Sequence, residues 1–165
     1  MIGQKVEGSL NEQMKKEFYS SYLYLAMAAH FESVNLRGMA RWMRVQSQEE
    51  YGHGLKIFDY LVERGGKVTL QQIDAPPLKW ESPRKVFEDA YQHEQKVTRA
   101  ISDLVDLSKA ENDHATQVFL QWFVNEQVEE EAGASEIVQK FQLIGNEGAA
   151  LFMLDGELGK RGSGK

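Results

Sequence analysis

The sequence predicts an all-α protein: a four-helix bundle with one long crossover connection and a short fifth helix at its C-terminus. Three observations support this. Four segments of about 28 residues each repeat apolar side chains at steps of three and four. The 165-residue chain has only three prolines, two of them the adjacent Pro76 and Pro77, so helices can run long. A polar stretch from position 66 to position 82 separates the second segment from the third.

The first helix is expected over about residues 6 to 33, ending before Asn35-Leu36-Arg37-Gly38. The second covers about residues 39 to 64 and stops at Gly65-Gly66, a C-terminal signal. Ser82-Pro83 supplies an N-cap followed by proline at the first helical position, opening a third helix that runs to about Ala110. Asn112-Asp113 opens the fourth, which lasts to about Ile144 before Gly145-Asn146 breaks it. Glu147 to Leu158 forms the short fifth helix. Its Leu151, Phe152, Leu154 and Leu158 are too apolar to stand in solvent and are expected to pack against other subunits. From Gly159 the chain is rich in Gly, Ser and Lys, so the domain spans residues 1–160 and residues 161–165 are expected to be a disordered tail.

A helix of about 28 residues is roughly 42 Å long, a distance the extended connection can cover at roughly 3.3 Å per residue. Short turns therefore make hairpins of the first and second helices and of the third and fourth. The long loop crosses over and sets the second and third parallel.

Composition bounds the function. Hydrophobic residues make up 42% and charged residues 27%, the balance of a soluble globular domain. There is no cysteine, hence no disulfide, thiolate metal site or cysteine nucleophile. No run is long enough to span a membrane, and the first residues lack the apolar stretch of a secretory signal. A cytoplasmic protein without membrane attachment is expected. The net charge of −6 disfavours nucleic acid as a partner and suits cations.

The core stripes carry the informative residues. Stepping by three and four, the first helix gives Leu10, Met14, Glu17, Ser21, Tyr24, Ala28 and Phe31. The second gives Met39, Trp42 or Met43, Gln46, Glu50, His53, Ile57 and Leu61. The third gives Phe87, Ala90, Glu94, Val97, Ile101 and Leu104, and the fourth Leu120, Phe123, Gln127, Glu130, Ala134, Ile137 and Phe141. Each stripe is mainly apolar and each carries glutamate at one level. Burying a carboxylate costs several kcal/mol unless it is compensated, and no Lys or Arg lies on the stripes. A bound cation is the simplest partner.

The depth of these residues agrees between hairpins. The step from Glu17 to Glu50 equals the step from Glu94 to Gln127, and the step from Glu17 to His53 equals that from Glu94 to Glu130. One constant shift along the sequence therefore relates the two sets. Glu17 and His53 lie equally far on either side of position 35, and Glu94 and Glu130 equally far on either side of position 112. Antiparallel folding about those turns brings all of them to one level. Four glutamates and one histidine form an oxygen-rich set with a single imidazole, better suited to iron or manganese than to structural zinc. Their charge matches two divalent ions sharing a carboxylate. Glu50 and His53, at i and i+3, can grip one ion while the second oxygen of Glu50 reaches the other. Di-iron bundles carry Glu-x-x-His on two helices, whereas here the second hairpin has Gln127-x-x-Glu130. One ion then has an imidazole ligand and the other only carboxylates, so their affinities should differ.

Glu17, Tyr24, Glu50-x-x-His53, Glu94 and Gln127-x-x-Glu130 together resemble the bacterial non-haem ferritins, over residues 5 to 160. The likeness includes Phe-Leu-Gln-Trp-Phe-Val-Asn-Glu-Gln-Val-Glu-Glu-Glu in the fourth helix and the short fifth helix. It implies a ferritin-like bundle in a homo-oligomeric cage of twenty-four subunits, a ferroxidase that oxidises Fe(II) with O2 or H2O2 and stores ferric mineral inside. It assigns Glu17, Glu50 and His53 to a first iron, and Glu50, Glu94 and Glu130 to a second. Gln127 matches a neighbour that orients the oxidant or a water, and Tyr24 a residue behind the ligands. A third iron position is implied at Glu49, Glu126, Glu129 and Glu130. Haem-carrying relatives repeat Glu-x-x-His in the last long helix and place Met after the second-helix Glu. Gln127-x-x-Glu130 and Tyr51 stand there here, so no haem is expected.

Other features read as structural. Glu111-Asn-Asp-His114 is also Glu-x-x-His, but it straddles a turn and is expected to be a surface or capping feature. His30 and His93 lie off the stripes and are expected at the surface or an interface. Gly52 and Gly54, beside Glu50 and His53, each cost roughly 1 kcal/mol of helix propensity relative to alanine. Close approach of a neighbouring subunit's helix would use a glycine at either place. The competing reading is a metal-free helical scaffold or binding module, and iron uptake separates the two.

Overall fold

The computed structural model describes residues 1–162. The described residues form five helices and no strand: α1 (Gln4–Ser33), α2 (Arg37–Glu63), α3 (Pro83–Ala110), α4 (His114–Ile144) and α5 (Gly148–Leu158). The ends follow the expected signals. Ser82 accepts a hydrogen bond from the Lys85 amide ahead of Pro83, and Asp113 accepts one from the Thr116 amide at 3.0 Å. Each hairpin turns on an asparagine in the left-handed region, Asn35 at φ 62° and Asn112 at φ 55°. The shift that relates the glutamates relates these two asparagines as well.

Helix directions follow from the contacts. Tyr24 of α1 meets Glu94 of α3, while Lys5 meets Glu111, so α1 and α3 are antiparallel. Ser21 meets Ser47 and Asn11 meets Lys67 beyond the end of α2, so α1 and α2 are antiparallel as well. The second and third helices are therefore parallel, as the long crossover requires. The crossover is stitched to α1: the amides of Lys67 and Thr69 donate to the side chains of Glu7 and Asn11 at 3.0 and 2.7 Å. No helix among the described residues is long and apolar enough to cross a membrane.

Two apolar clusters fill the bundle. One includes Met27, Phe31, Met39, Met43, Phe87, Ile137 and Phe141, and the other Leu10, Met14, Ile57, Leu61, Ile101, Leu120 and Phe123. The stripe residues are buried, except that Ser21 and Glu130 are half-buried and Met43 rather than Trp42 takes the fully buried place. Between the clusters lies the polar layer.

Several expectations change here. Arg37 and Gly38 lie inside α2 rather than in the turn before it. Gly38 is there for close packing: a Cβ would overlap the backbone oxygen of Asp155 in α5. Asp155 also accepts a hydrogen bond from the Met39 amide at 2.8 Å. Helix α5 thus docks on its own subunit, burying Leu154 and Leu158, and leaves Phe152 and Met153 79% and 75% exposed. Gly54 needs no neighbouring subunit, because a Cβ there would run into the Phe18 ring, whereas Gly52 has open space. Arg161, the first residue of the expected disordered tail, is instead held by side-chain contacts to α2. The rest of that tail, beyond Gly162, lies outside the described residues.

Candidate metal centre

Each long helix sends its polar side chains inward at mid-length. Glu17 and Glu94 come from α1 and α3; Glu50 with His53, and Gln127 with Glu130, come from successive turns of α2 and α4. Glu17, Glu50 and Glu94 are each only 1% exposed. His53 Nδ1 lies 3.2 Å from Glu50 Oε2 and 3.7 Å from Glu17 Oε2. Three sets of donor atoms lie close enough to hold a metal ion, each set within 4.8 Å: Glu17, Glu50 and His53; Glu50, Glu94 and Glu130; and His53, Glu126 and Glu130. Glu50 belongs to the first two.

Neighbours aim these groups. Gln13 donates to Glu17 Oε1 at 2.8 Å, and Gln46 donates to Glu50 Oε1 and Glu130 Oε2 at 2.8 and 2.7 Å. The Tyr24 hydroxyl donates to Glu94 Oε1, and Gln127 Nε2 donates to Glu94 Oε2 at 3.1 Å. Gln127 also lies within hydrogen-bond distance of Thr98 Oγ1, at 3.2 Å. Glu17 Oε2 is left buried without a hydrogen-bond partner, a rare and costly condition for a carboxylate oxygen. Such an acceptor, set among hard oxygen donors and one imidazole, fits an iron-type divalent ion.

The electrostatics point the same way. Burial pushes the Glu50 and Glu94 carboxyls up from their ordinary range. Glu130 is pushed up to about 7, by burial first and the Glu94 charge second. Burial works against a charged His53, but Glu17 and Glu50 outweigh it and push the imidazole up to about 11. Burial, followed by the Glu94 charge, raises the Tyr24 hydroxyl well above its usual value, so it stays protonated and donates. Without a metal ion these upward shifts favour retained protons on His53, Glu50, Glu94 and Glu130.

The layer opens on one side into a cleft of about 420 Å³ whose walls include Glu49, Glu126, Glu129, Glu130 and Arg161. Glu126 Oε1 lies 3.6 Å from His53 Nε2. Glu49 and Glu129 line the cleft but belong to none of the three donor sets, and Glu49 is paired with Arg161 at 2.7 Å.

Sequence reasoning passed over Gln13 and Arg161, and gave Gln46 a stripe position but no task. A signal was present for the glutamines: each stands four residues before a layer glutamate, one helical turn away. Arg161 had none, since its place depends on how α5 docks. His93 is half-exposed and in none of the donor sets, in keeping with a surface position. Its Nε2 is 2.7 Å from Ser20 Oγ, its ring lies edge-on to Tyr24, and burial lowers it to about 4, so it is a neutral packing group. Glu111 and His114 are exposed at the α3–α4 turn, away from the layer, as expected.

The model of the ferritin-like domain family matches residues 7–144. A bacterial non-haem ferritin of Bacteroides fragilis is 45% identical over 161 residues, 98% of this chain and all of that protein. A probable bacterial non-haem ferritin-like protein of Haemophilus influenzae is 40% identical, over 96% of each chain. Among solved structures, an engineered closed form of the Archaeoglobus fulgidus ferritin superposes with a TM-score of 0.97 at 51% identity, over 98% of each chain. The open-pore ferritin of that archaeon superposes at 0.96, also at 51% identity, over 97% of this chain and 98% of its own. With its bundle, its crossover and its mid-bundle carboxylate layer, the chain belongs to the ferritin family of iron-storage proteins.

Proposed function

We propose that the chain is a ferroxidase subunit, which takes Fe(II) as substrate at a two-iron site inside its own bundle and delivers ferric ions for storage in a cage of twenty-four copies. The observation that carries this is Glu50, shared between two donor sets, with Glu17 and His53 on one side and Glu94 and Glu130 on the other. Two Fe(II) ions together supply the two electrons that take O2 to peroxide, or H2O2 to water. No haem is involved.

The residues then have separable tasks. Gln46 holds one oxygen of Glu50, leaving the other turned toward His53 Nδ1. His53 binds through Nδ1, the nitrogen beside Glu50 and Glu17, once its proton leaves, while its Nε2 side lies 3.6 Å from Glu126. Tyr24 and Gln127 hold both oxygens of Glu94 in place. Binding metal requires neutral His53 and ionised carboxylates, so it releases protons. A third, outer position uses Glu49, Glu126, Glu129 and Glu130 in the cleft.

Anaerobic Fe(II) titration of the assembled protein, followed by admission of air, tests this. Two tightly bound ions per subunit and rapid ferric absorbance are expected, in a particle with the mass of a cage. Absence of tight binding and of ferric absorbance would leave a metal-free helical scaffold as the better reading.

A further inference from the structure

The outer cleft already contains a cation, supplied by the chain itself. Arg161 lies just past α5 and returns over α2, with its guanidinium carbon 4.3 Å from the centre of the Trp42 ring. Its Nη2 donates to Glu49 Oε2 at 2.7 Å and to Gln46 Oε1 at 2.8 Å. Its backbone oxygen accepts from Arg41 Nε at 3.1 Å, so the main chain is held as well as the side chain. A planar, permanently charged fork stacked on an aromatic face is far more ordered than a lysine in the same place.

We propose that Arg161 is the resident cation of the outer carboxylate cleft, and that a metal ion binding there through Glu49 competes with it. This rests on the outer position described under Proposed function. A divalent ion and a guanidinium repel each other across one Glu49 carboxylate, so occupancy by one disfavours the other. The Gln46 amide is oriented by Arg161 at its oxygen and by Glu50 and Glu130 at its nitrogen. An arginine only donates, so the amide oxygen must face it and the NH2 must face the two carboxylates. When Arg161 leaves, water can take its place at the oxygen, and the two inward bonds persist. Arg161 thus competes for Glu49, weakening the outer site selectively and leaving the inner pair intact.

The test is anaerobic Co(II) titration of the assembled, iron-free protein, with absorbance and calorimetry resolving the successive equivalents. In Arg161→Gln the outer equivalent should bind about fivefold tighter, the scale of a half-exposed ion pair, with the first two equivalents unchanged. Arg161→Lys should return the outer affinity toward wild type. In a Glu49→Gln background, Arg161→Gln should make no difference, an outcome that a merely structural role would not produce. An outer affinity unchanged or weakened in Arg161→Gln, the same gain with Glu49 already replaced, or no outer equivalent in any variant would each overturn the proposal while the inner site stands. Loss of the first two equivalents from the wild type would instead overturn the two-iron reading on which it rests.

Discussion

The α1–α2 hairpin and the α3–α4 hairpin place their polar residues at the same depth and furnish them differently. A single shift along the sequence carries Glu17 onto Glu94, Asn35 onto Asn112, Glu50 onto Gln127 and His53 onto Glu130. The same shift carries Gln13 and Gln46, which hold Glu17 and Glu50, onto Ala90 and Phe123. The first hairpin therefore supplies an enclosed carboxylate–imidazole set with its own amide braces. The second supplies Glu94, braced by Tyr24 from the other hairpin, and a half-buried Glu130 that opens on the cleft. Register alone brings the level together; what sits at the matched positions makes one half closed and the other open to solvent.

The largest break in this comparison should come from Glu50→Ala set against Gln127→Ala. The positions correspond, but only Glu50 belongs to two donor sets. Stopped-flow oxidation should fall at least about 100-fold in Glu50→Ala, the scale of losing a group needed in the transition state, and only severalfold in Gln127→Ala. The reverse order would mean that the bridging role lies elsewhere.

Gly38 and Ala115 correspond under the same shift, yet α5 covers only the first. Gly38→Ala should cost about 1–3 kcal/mol, because its Cβ meets backbone rather than a movable side chain. Proteolysis should show α5 loosened. Ala115→Gly on an exposed turn of α4 should cost no more than about 1 kcal/mol, from helix propensity.

Smaller and more diagnostic is the pH dependence of the apo protein. His53, raised from 6.5 to about 11 in the folded state, stabilises fully below pH 6.5, and that contribution is lost as pH rises toward 11. Glu130, raised from 4.5 to about 7, likewise favours the folded state while it keeps its proton, and this gain fades as pH rises through 7. His93 has the opposite sign, but its effect is complete by about 6.5. Between pH 6.5 and 9, apo stability should therefore fall, by on the order of 1 kcal/mol per pH unit, and His53→Gln should flatten the slope. A stability that rises over this range would contradict the assignment of retained protons to the layer.

Much of this was legible in the sequence. The apolar stripes and the spacing shared by the two hairpins sufficed to place Glu17, Glu50, His53, Glu94 and Glu130 at one level, because long helices convert sequence distance into depth at a fixed rise. What escaped depended on tertiary approach. Gly54 faces Phe18 of the same chain, Gly38 faces α5, and Arg161 reaches Glu49 only because α5 folds back on α2. His93 is off the apolar stripe and half-exposed, and only its contacts to Ser20 and Tyr24 could not be foreseen. None of these follows from periodicity.

The central claim is that the buried carboxylates are a cost to the fold that metal offsets. It is tested most directly by thermal unfolding of the wild type and of Glu94→Gln/Glu130→Gln, each with and without Zn(II) in chelator-treated buffer. Glutamine keeps an acceptor for the Tyr24 hydroxyl, which an apolar residue at position 94 would strand, and Gln127 retains the position-94 carbonyl and Thr98 as acceptors when it loses the side-chain oxygen. The variant's apo form should melt several degrees above the wild-type apo form, as expected for relief of about 1–2 kcal/mol in a chain of this size. Zn(II) should raise the wild type strongly and the variant little. A variant that melts below wild-type apo protein, or gains as much from Zn(II), would show that the layer is satisfied without an ion and that the account is wrong.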